Sequence, residues 1–355
     1  MQRRTFLSLT LPTLSLWPLL GNSGHAPLAP PLPASAATEG FVLRAGQSRF
    51  GVPTPFHTHN PNDLKVSARD TGGELALFDY EGVEPVGPSR HKHLTQDEIF
   101  YVVTGDFLFQ LGEQKQLLHA GDTIFLPRQV AHTWVQRSPR GRLLCWVQPA
   151  GNLEEFFGFM SQQTTPLAPA QVQQVHARYG MERLGPGLSS TLDYALSSGF
   201  DAGFVTAAGV GRRGERTRLN GRNANDLKVA GSDTGGTFSL FEYTGTERGG
   251  PPLHVHPHQD EVFYVLAGRY RFRVGAAEHE LTAGDLIFLP RAVPHTFAQR
   301  TATGRLLFSF QPTGRMEAFF RALAALPAPP TPAAGAQLFA AHDMQVVGPP
   351  LTVDR

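Results

Sequence analysis

His91 and His93 stand two apart with Glu98 five residues further on, and His254, His256 and Glu261 repeat that spacing. Successive side chains of a strand point to opposite faces, so an H-x-H pair turns two imidazoles the same way, and a carboxylate on the next strand can meet them. Later in each half, His132 and His295 lie in segments reading GDTIFLPRQVAHT and GDLIFLPRAVPHT. Three neutral imidazoles and one carboxylate form a donor set for a single divalent transition metal. At octahedral coordination they leave about two positions open for other ligands. A single histidine here would read as an ordinary core or surface residue; four ordered donors occurring twice point to metal. The candidate ligands are His91, His93, Glu98 and His132 in one set, and His254, His256, Glu261 and His295 in the other. One divalent ion per set is expected, and the donors accept iron, manganese, cobalt, nickel or copper alike.

Each member of the second set follows its counterpart by 254 − 91 = 163 positions. Residues 40–157 lie over 203–320 without insertion or deletion, with about half the paired positions identical. Two homologous domains follow. Within them the pattern has period two: Leu75, Leu77 and Asp79 against Glu74, Ala76 and Phe78, then Ile99 and Tyr101 against Phe100 and Val102, with Gly105 and Gly112 at turns. The 37 glycines and 29 prolines suit many short strands joined by tight turns. A β-sandwich or jelly roll is predicted for each domain. The run 152–160, NLEEFFGFM, reads as a helix on the outside of the first barrel.

Both copies resemble the cupin superfamily. The first cupin motif is matched by His91, His93, Glu98 and Gly105 and by His254, His256, Glu261 and Gly268; the second by Gly121, Pro127 and His132 and by Gly284, Pro290 and His295. The leading glycine sits nearer the histidines than usual, as Gly87 and Gly250. Gln129 and Ala292 replace the glycine after proline, and Gln136 and Gln299 replace the closing asparagine. No departure removes a ligand. Among bicupins, DTGG…PPLHVHPHQDEVFYVLAG and the QPAGNLEEFF ending resemble quercetin 2,3-dioxygenase-like proteins. The resemblance implies an all-β fold of two tandem double-stranded β-helix barrels with short C-terminal helices. The domains expected are residues 1–36, an export signal and Pro/Ala linker; 38–161, the first barrel; 162–198, a connector with a helical stretch at 169–179; and 199–345, the second barrel.

Alternation also predicts what lines the sites. With the histidines inward, Phe100, Val102 and Trp134 face the first pocket and Phe263, Val265 and Phe297 the second. A small dianion such as oxalate needs a fixed inward cation to offset its desolvation. The alternation of Arg269, Arg271 and Arg273 with Tyr270, Phe272 and Val274 places the arginines outside, leaving Arg128 and Arg291 as the cations able to reach a mouth. A flat aromatic substrate fits these walls better. The resemblance then implies a flavonol-type dioxygenase using O2, with Glu98 and Glu261 both ligating and taking the substrate's proton, burial raising their pKa values toward the working pH. The alternatives are another bicupin enzyme, an oxalate decarboxylase or a different aromatic or diketone dioxygenase, and a non-catalytic exported cupin that binds metal or a small ligand.

The chain of 355 residues, 41% hydrophobic and 17% charged with a formal net charge of +1, is long enough for two cores and carries no charge excess suited to nucleic acid. Its one cysteine, Cys145, excludes an intramolecular disulfide and reads as a core filler, since Phe308 takes its place in the second copy. His57 and His59 form a further H-x-H with no glutamate at the right distance, and read as surface loop; His258 reads as a rim residue. Arg3 and Arg4, followed by an apolar run from Leu9 to Leu20, resemble a twin-arginine export signal, too short and Pro-broken to remain as a membrane span. An exported protein, as a monomer or homodimer, is expected.

Overall fold

A computed structural model of the chain describes residues 39–56, 59–215 and 217–353. The expected export signal and linker at 1–36 lie outside the described residues. The described strands form four sheets, two for each repeat. In the first barrel one sheet runs Phe204–Thr206, Thr123–Leu126, Asp97–Thr104, Gly141–Gln148, Ala76–Gly82, Asn62–Val66; the facing sheet runs Met181–Gly185, Arg90–His93, His132–Gln136, Phe107–Leu111, Gln114–Leu118. The second barrel repeats this plan, its two site-bearing sheets containing Asp260–Ala267 and His295–Gln299. Two tandem β-barrels with a few short helices are therefore the observed fold, as alternation and turn content predict.

The strand Asp97–Thr104 shows why the arrangement is stable. Its residues 97 to 102 are all buried, because one face packs inside its barrel and the other against the second repeat. Phe100 and Val102 belong to the first barrel's core, while Ile99 and Tyr101 join Leu144 and Trp146 against Val262, Tyr264, Phe288 and Leu307. A strand buried on both faces reads as a continuous apolar run, which DEIFYVV does after its two acids. Polar bonds cross the same interface: Arg305 Nη2 donates to the Tyr101 hydroxyl at 3.1 Å, and the Arg142 guanidinium lies 5.7 Å from the Tyr264 ring centroid.

The repeat in sequence and the sheets in space part company at the ends. Phe41–Leu43, from the first copy, pairs antiparallel with Leu286–Leu289 of the second, and Phe204–Thr206, from the second copy, pairs with Thr123–Leu126 of the first. Each exchange is fastened by a ring stack, Phe41 on Phe288 at 5.2 Å and Phe125 on Phe204 at 5.3 Å. Pairing covers a strand edge that would otherwise offer unpaired backbone groups. The segment read as a connector holds the helix Pro169–Arg178 and then the strand Met181–Gly185, which pairs with the strand carrying His91 and His93. Its counterpart is the helix Pro332–Ala340 and the strand Gln345–Pro350, paired with Pro252–Val255. The repeat thus continues through the connector, 169 + 163 = 332. The helices Leu153–Ser161 and Met316–Ala324 close each barrel, Phe157 meeting Phe78 and Phe320 meeting Phe241, both at 5.0 Å. Among the described residues no helix is long and apolar enough to cross a membrane.

Candidate metal centres

Along Arg90–His93 the residues alternate half-buried and buried, so His91 and His93 enter the barrel while Arg90 and Lys92 turn away. His91 lies opposite His132 across the ladder, as His254 lies opposite His295. Close backbone approach makes this possible: a Cβ at Gly87 would lie 1.8 Å from the Trp134 carbonyl oxygen, and one at Gly250 1.8 Å from that of Phe297. The displaced leading glycines of the motif therefore let the H-x-H strand lie against the strand of the third histidine. Glu98 and Glu261 arrive from the facing sheets.

All eight side chains are buried, and within each set the donor atoms lie within 4.8 Å of one another. The Glu98 carboxylate sits 3.0 Å from His132 Nε2 and 3.4 Å from His93 Nε2. Glu261 sits 3.0 Å from His295 Nε2 and 3.6 Å from His256 Nε2. Donors bound at about 2.1 Å and octahedral angles are about 3 Å apart when adjacent, so these spacings suit one ion.

The tautomers decide what the clusters can hold. Nδ1–H of His91 donates to the Ser89 carbonyl at 2.7 Å, His132 to Val130 at 3.0 Å, His254 to Pro252 at 2.8 Å and His295 to Val293 at 2.9 Å. With the proton on Nδ1, a neutral ring aims a lone pair from Nε2 into the cluster. His132 Nε2 and His295 Nε2 are buried without a hydrogen-bond partner, each facing a carboxylate oxygen. Two acceptors in that position repel unless a positive charge, a proton or a metal ion, lies between them. Burial, and then the neighbouring imidazoles, hold His91 and His256 well below the usual histidine range and bring His254 down to about 3. Neutral rings are the ligating form. Each cluster therefore fits a divalent metal.

For Glu98 the expected direction is corrected. Burial pushes the carboxyl up, but His93 and His132 outweigh it and hold Glu98 well below the usual carboxylate range. An ionised Glu98 is a good ligand and a weak base. Cys145 is buried, as expected of a filler, and its thiol lies 3.9 Å from a Glu98 oxygen, with burial and then Glu98 pushing its pKa up.

Beside the second cluster lies a cavity of about 760 Å³, inside the roughly 300–1,000 Å³ span of small-molecule sites. His254, His256, Glu261 and His295 open onto it, and Tyr243, Phe263, Phe297, Phe308, Phe310 and Phe319 supply aromatic walls. Of the second pocket's expected lining, Phe263 and Phe297 are present, whereas Val265 is fully buried in the core, two residues further along the strand. Phe100, Val102 and Trp134 lie in the packed core of the first barrel. Tyr270, Phe272 and Val274 are buried, which turns their neighbouring arginines outward. Arg128 is clamped on Asp97 and Arg291 on Asp260 and Glu74, so neither offers a free cation to the cavity. Among the described lining residues, the Lys/Arg charge is Arg248, exposed at the rim. His59 and His258 are exposed, while His57 lies outside the described residues.

A family profile described as the cupin domain matches residues 77–147 and 241–310, and each match contains one complete cluster. The chain is a bicupin. Over 299 residues it is 23% identical to a quercetin 2,3-dioxygenase from Bacillus subtilis, covering 80% of this bicupin and 85% of that protein. The Bacillus subtilis oxalate decarboxylase shares its fold at a TM-score of 0.52 and 13% identity, over 78% of this chain and 76% of that one.

Two groups in this bicupin escape a reading of motifs. Asp97 accepts from the Arg128 backbone N–H at 2.7 Å, and Asp260 from that of Arg291 at 2.6 Å, tying the turn before the third histidine to the strand of the glutamate. Their recurrence beside Glu98 and Glu261 was the available clue. Asn225 lies on the inward face with Leu227, opposite Tyr243. It lines the cavity, is fully buried, and has no hydrogen-bond partner at either amide atom.

Proposed function

We propose that this bicupin is a metal-dependent dioxygenase that opens a flavonol-type ring with O2 and releases carbon monoxide. The observation that carries the reading is the aromatic cavity opening directly onto His254, His256, Glu261 and His295. The similarity to a quercetin 2,3-dioxygenase over most of both chains supports it. A bound divalent transition metal would supply Lewis acidity toward the substrate's hydroxyl oxygen and redox capacity toward O2. The chain does the rest: the phenylalanine walls sandwich a flat ring and exclude water, and Glu261 accepts the hydroxyl proton on a carboxylate oxygen. His254 and His295, held by their Nδ1–H bonds to the Pro252 and Val293 carbonyls, fix the direction of their donor lone pairs. The oxalate decarboxylase reading shares the fold but lacks a fixed inward cation, since Arg128 and Arg291 are already bound to carboxylates and Arg248 is exposed at the rim.

The test is oxygen uptake and loss of flavonol absorbance when protein reloaded with single metals meets quercetin in air. Matching loss of O2 and flavonol with carbon monoxide release is expected; no turnover with any metal at full occupancy of both sites rejects the activity. Changing Glu98 and Glu261 together to Gln should leave much of the metal bound while turnover collapses, and unaffected turnover removes the glutamates from proton transfer. We further infer export by a twin-arginine route, from Arg3 and Arg4; normal export after both are changed to Lys would contradict it.

A further inference from the structure

We propose that the two metal centres divide the work: the second barrel alone admits a ring-bearing substrate, and the first admits only small ligands, because Phe56 and Trp134 plug its mouth. The proposal rests on the metal reading of both clusters and narrows the dioxygenase reading to one of them. The two barrels share about half their residues, so the differences between equivalent positions stand out. Trp134 corresponds to Phe297, Tyr80 to Tyr243 and Phe56 to Leu219, each at an offset of 163. In the second barrel Leu219, Tyr243 and Phe297 all line the cavity, and Tyr243 and Phe297 are only partly buried.

In the first barrel the same places are filled. Phe56 stacks on Trp134 with centroids 5.7 Å apart, and its ring meets Tyr80 edge-on at 5.8 Å. Tyr80 meets Trp134 at 5.0 Å, and Phe107 meets it at 5.8 Å. Trp134 and Tyr80 are consequently 6% and 3% exposed. Hydrogen bonding locks the plug: Asn60 Nδ2 donates to the Tyr80 hydroxyl at 2.9 Å, whereas the equivalent Asn223 donates to Glu247 at 3.3 Å. Leucine in place of Phe56 removes a ring, and phenylalanine in place of Trp134 removes the indole's second ring, so the second barrel lacks the stack. Close to the metal the difference reverses, because Cys145 and Val147 stand where the second barrel has Phe308 and Phe310. The first centre is thus lined by smaller side chains at the cluster and closed by the aromatic stack at the mouth, which suits a diatomic or triatomic ligand and excludes a ring.

The test separates the centres. Full-length protein carrying His91→Ala and His93→Ala keeps only the second centre, and protein carrying His254→Ala and His256→Ala keeps only the first. Each is loaded with Co(II), whose visible d–d bands report ligand entry without turnover. Azide should perturb the cobalt in both proteins, showing that both centres are intact. 4-Nitrocatechol should bind the second centre at least tenfold more tightly than the first. Phe56→Leu with Trp134→Phe should open the first centre to 4-nitrocatechol by at least tenfold; Leu219→Phe with Phe297→Trp should close the second while azide still binds. Equal affinity of the two unaltered centres for 4-nitrocatechol, or no response at either, overturns the division. Quercetin oxidation is followed separately, so failure of the dioxygenase reading shows as absent turnover with the cobalt asymmetry intact.

Discussion

Asn225 is an expensive residue for a fold to keep. Both polar atoms of its amide are buried without partners, and an unsatisfied buried polar group costs about 1–3 kcal/mol. Its position opposite Tyr243 on the inward face of the second barrel gives those atoms a use, which is to read a hydroxyl or carbonyl on a ligand in the cavity. Asn225→Leu has nearly the same size and no polar atoms. The variant should unfold at a higher denaturant concentration, with a gain of about 1–2 kcal/mol. Its KM for the flavonol should rise roughly tenfold, equivalent to about 1.4 kcal/mol of lost binding, with kcat little changed. A variant that is less stable and binds the flavonol as well as before would show instead that the amide serves the fold.

At the scale of elements, the second cupin motif shows what a sequence reveals and what it hides. Gln129 and Ala292 occupy the place of the motif glycine, and the structure gives them φ of 67° and 65°, the left-handed conformation glycine would adopt. Their backbone N–H groups donate to the carbonyls of His93 and His256, both at 2.8 Å, so the turn that holds the second histidine is retained despite the substitutions. A non-glycine residue in that region costs about 1–2 kcal/mol, part of which glycine returns as chain entropy. Ala292→Gly should therefore stabilise the protein by up to about 1 kcal/mol in urea unfolding, leaving metal content unchanged; a loss of stability would mean the alanine methyl makes a packing contact worth more than the strain. The two His/Glu clusters were legible because strand alternation turns spacing directly into geometry. Residues 162–198 read as a connector with a helical stretch at 169–179; the strand Met181–Gly185 escapes that reading because the repeat weakens there, leaving matches such as Pro169 with Pro332 and Met181 with Met344. The exchanged strands were not legible at all: Phe41 meets Phe288 across 247 positions (288 − 41), and nothing local to FVL specifies that pairing. The plug at Phe56 and Trp134 was hidden for a related reason, since alternation assigns Trp134 a face but not the ring that stacks on it.

For the whole molecule, the buried histidines His91, His254 and His256 make stability depend on pH in a definite direction. His254 titrates near 6.5 when unfolded and at about 3 in the fold, chiefly because it is buried and then because of His295. Between those values the unfolded chain binds a proton that the native state refuses, so stability is fully present above about pH 6.5 and falls as the pH falls toward 3. A difference of 3.5 pH units (6.5 − 3) corresponds to a contribution on the order of 5 kcal/mol from His254 alone. His91 and His256 act in the same direction, both held down mainly by burial. Glu98 adds a further loss of the same sign at lower pH, because its folded value lies below the usual 4.5. Metal-free protein should therefore lose thermal stability steadily from pH 7 to pH 5, a range in which surface carboxylates remain ionised. Saturating metal should raise the whole curve, because an ion that binds only the folded state adds its binding free energy to folding. The raised curve should itself steepen below pH 6, as protons compete for the Nε2 lone pairs. Melting curves at half-unit intervals in chelator and in metal measure both effects. A flat profile for the metal-free protein between pH 7 and pH 5 would mean that the buried imidazoles accept protons in place, and the account of neutral rings aimed at a shared cation would fall with it.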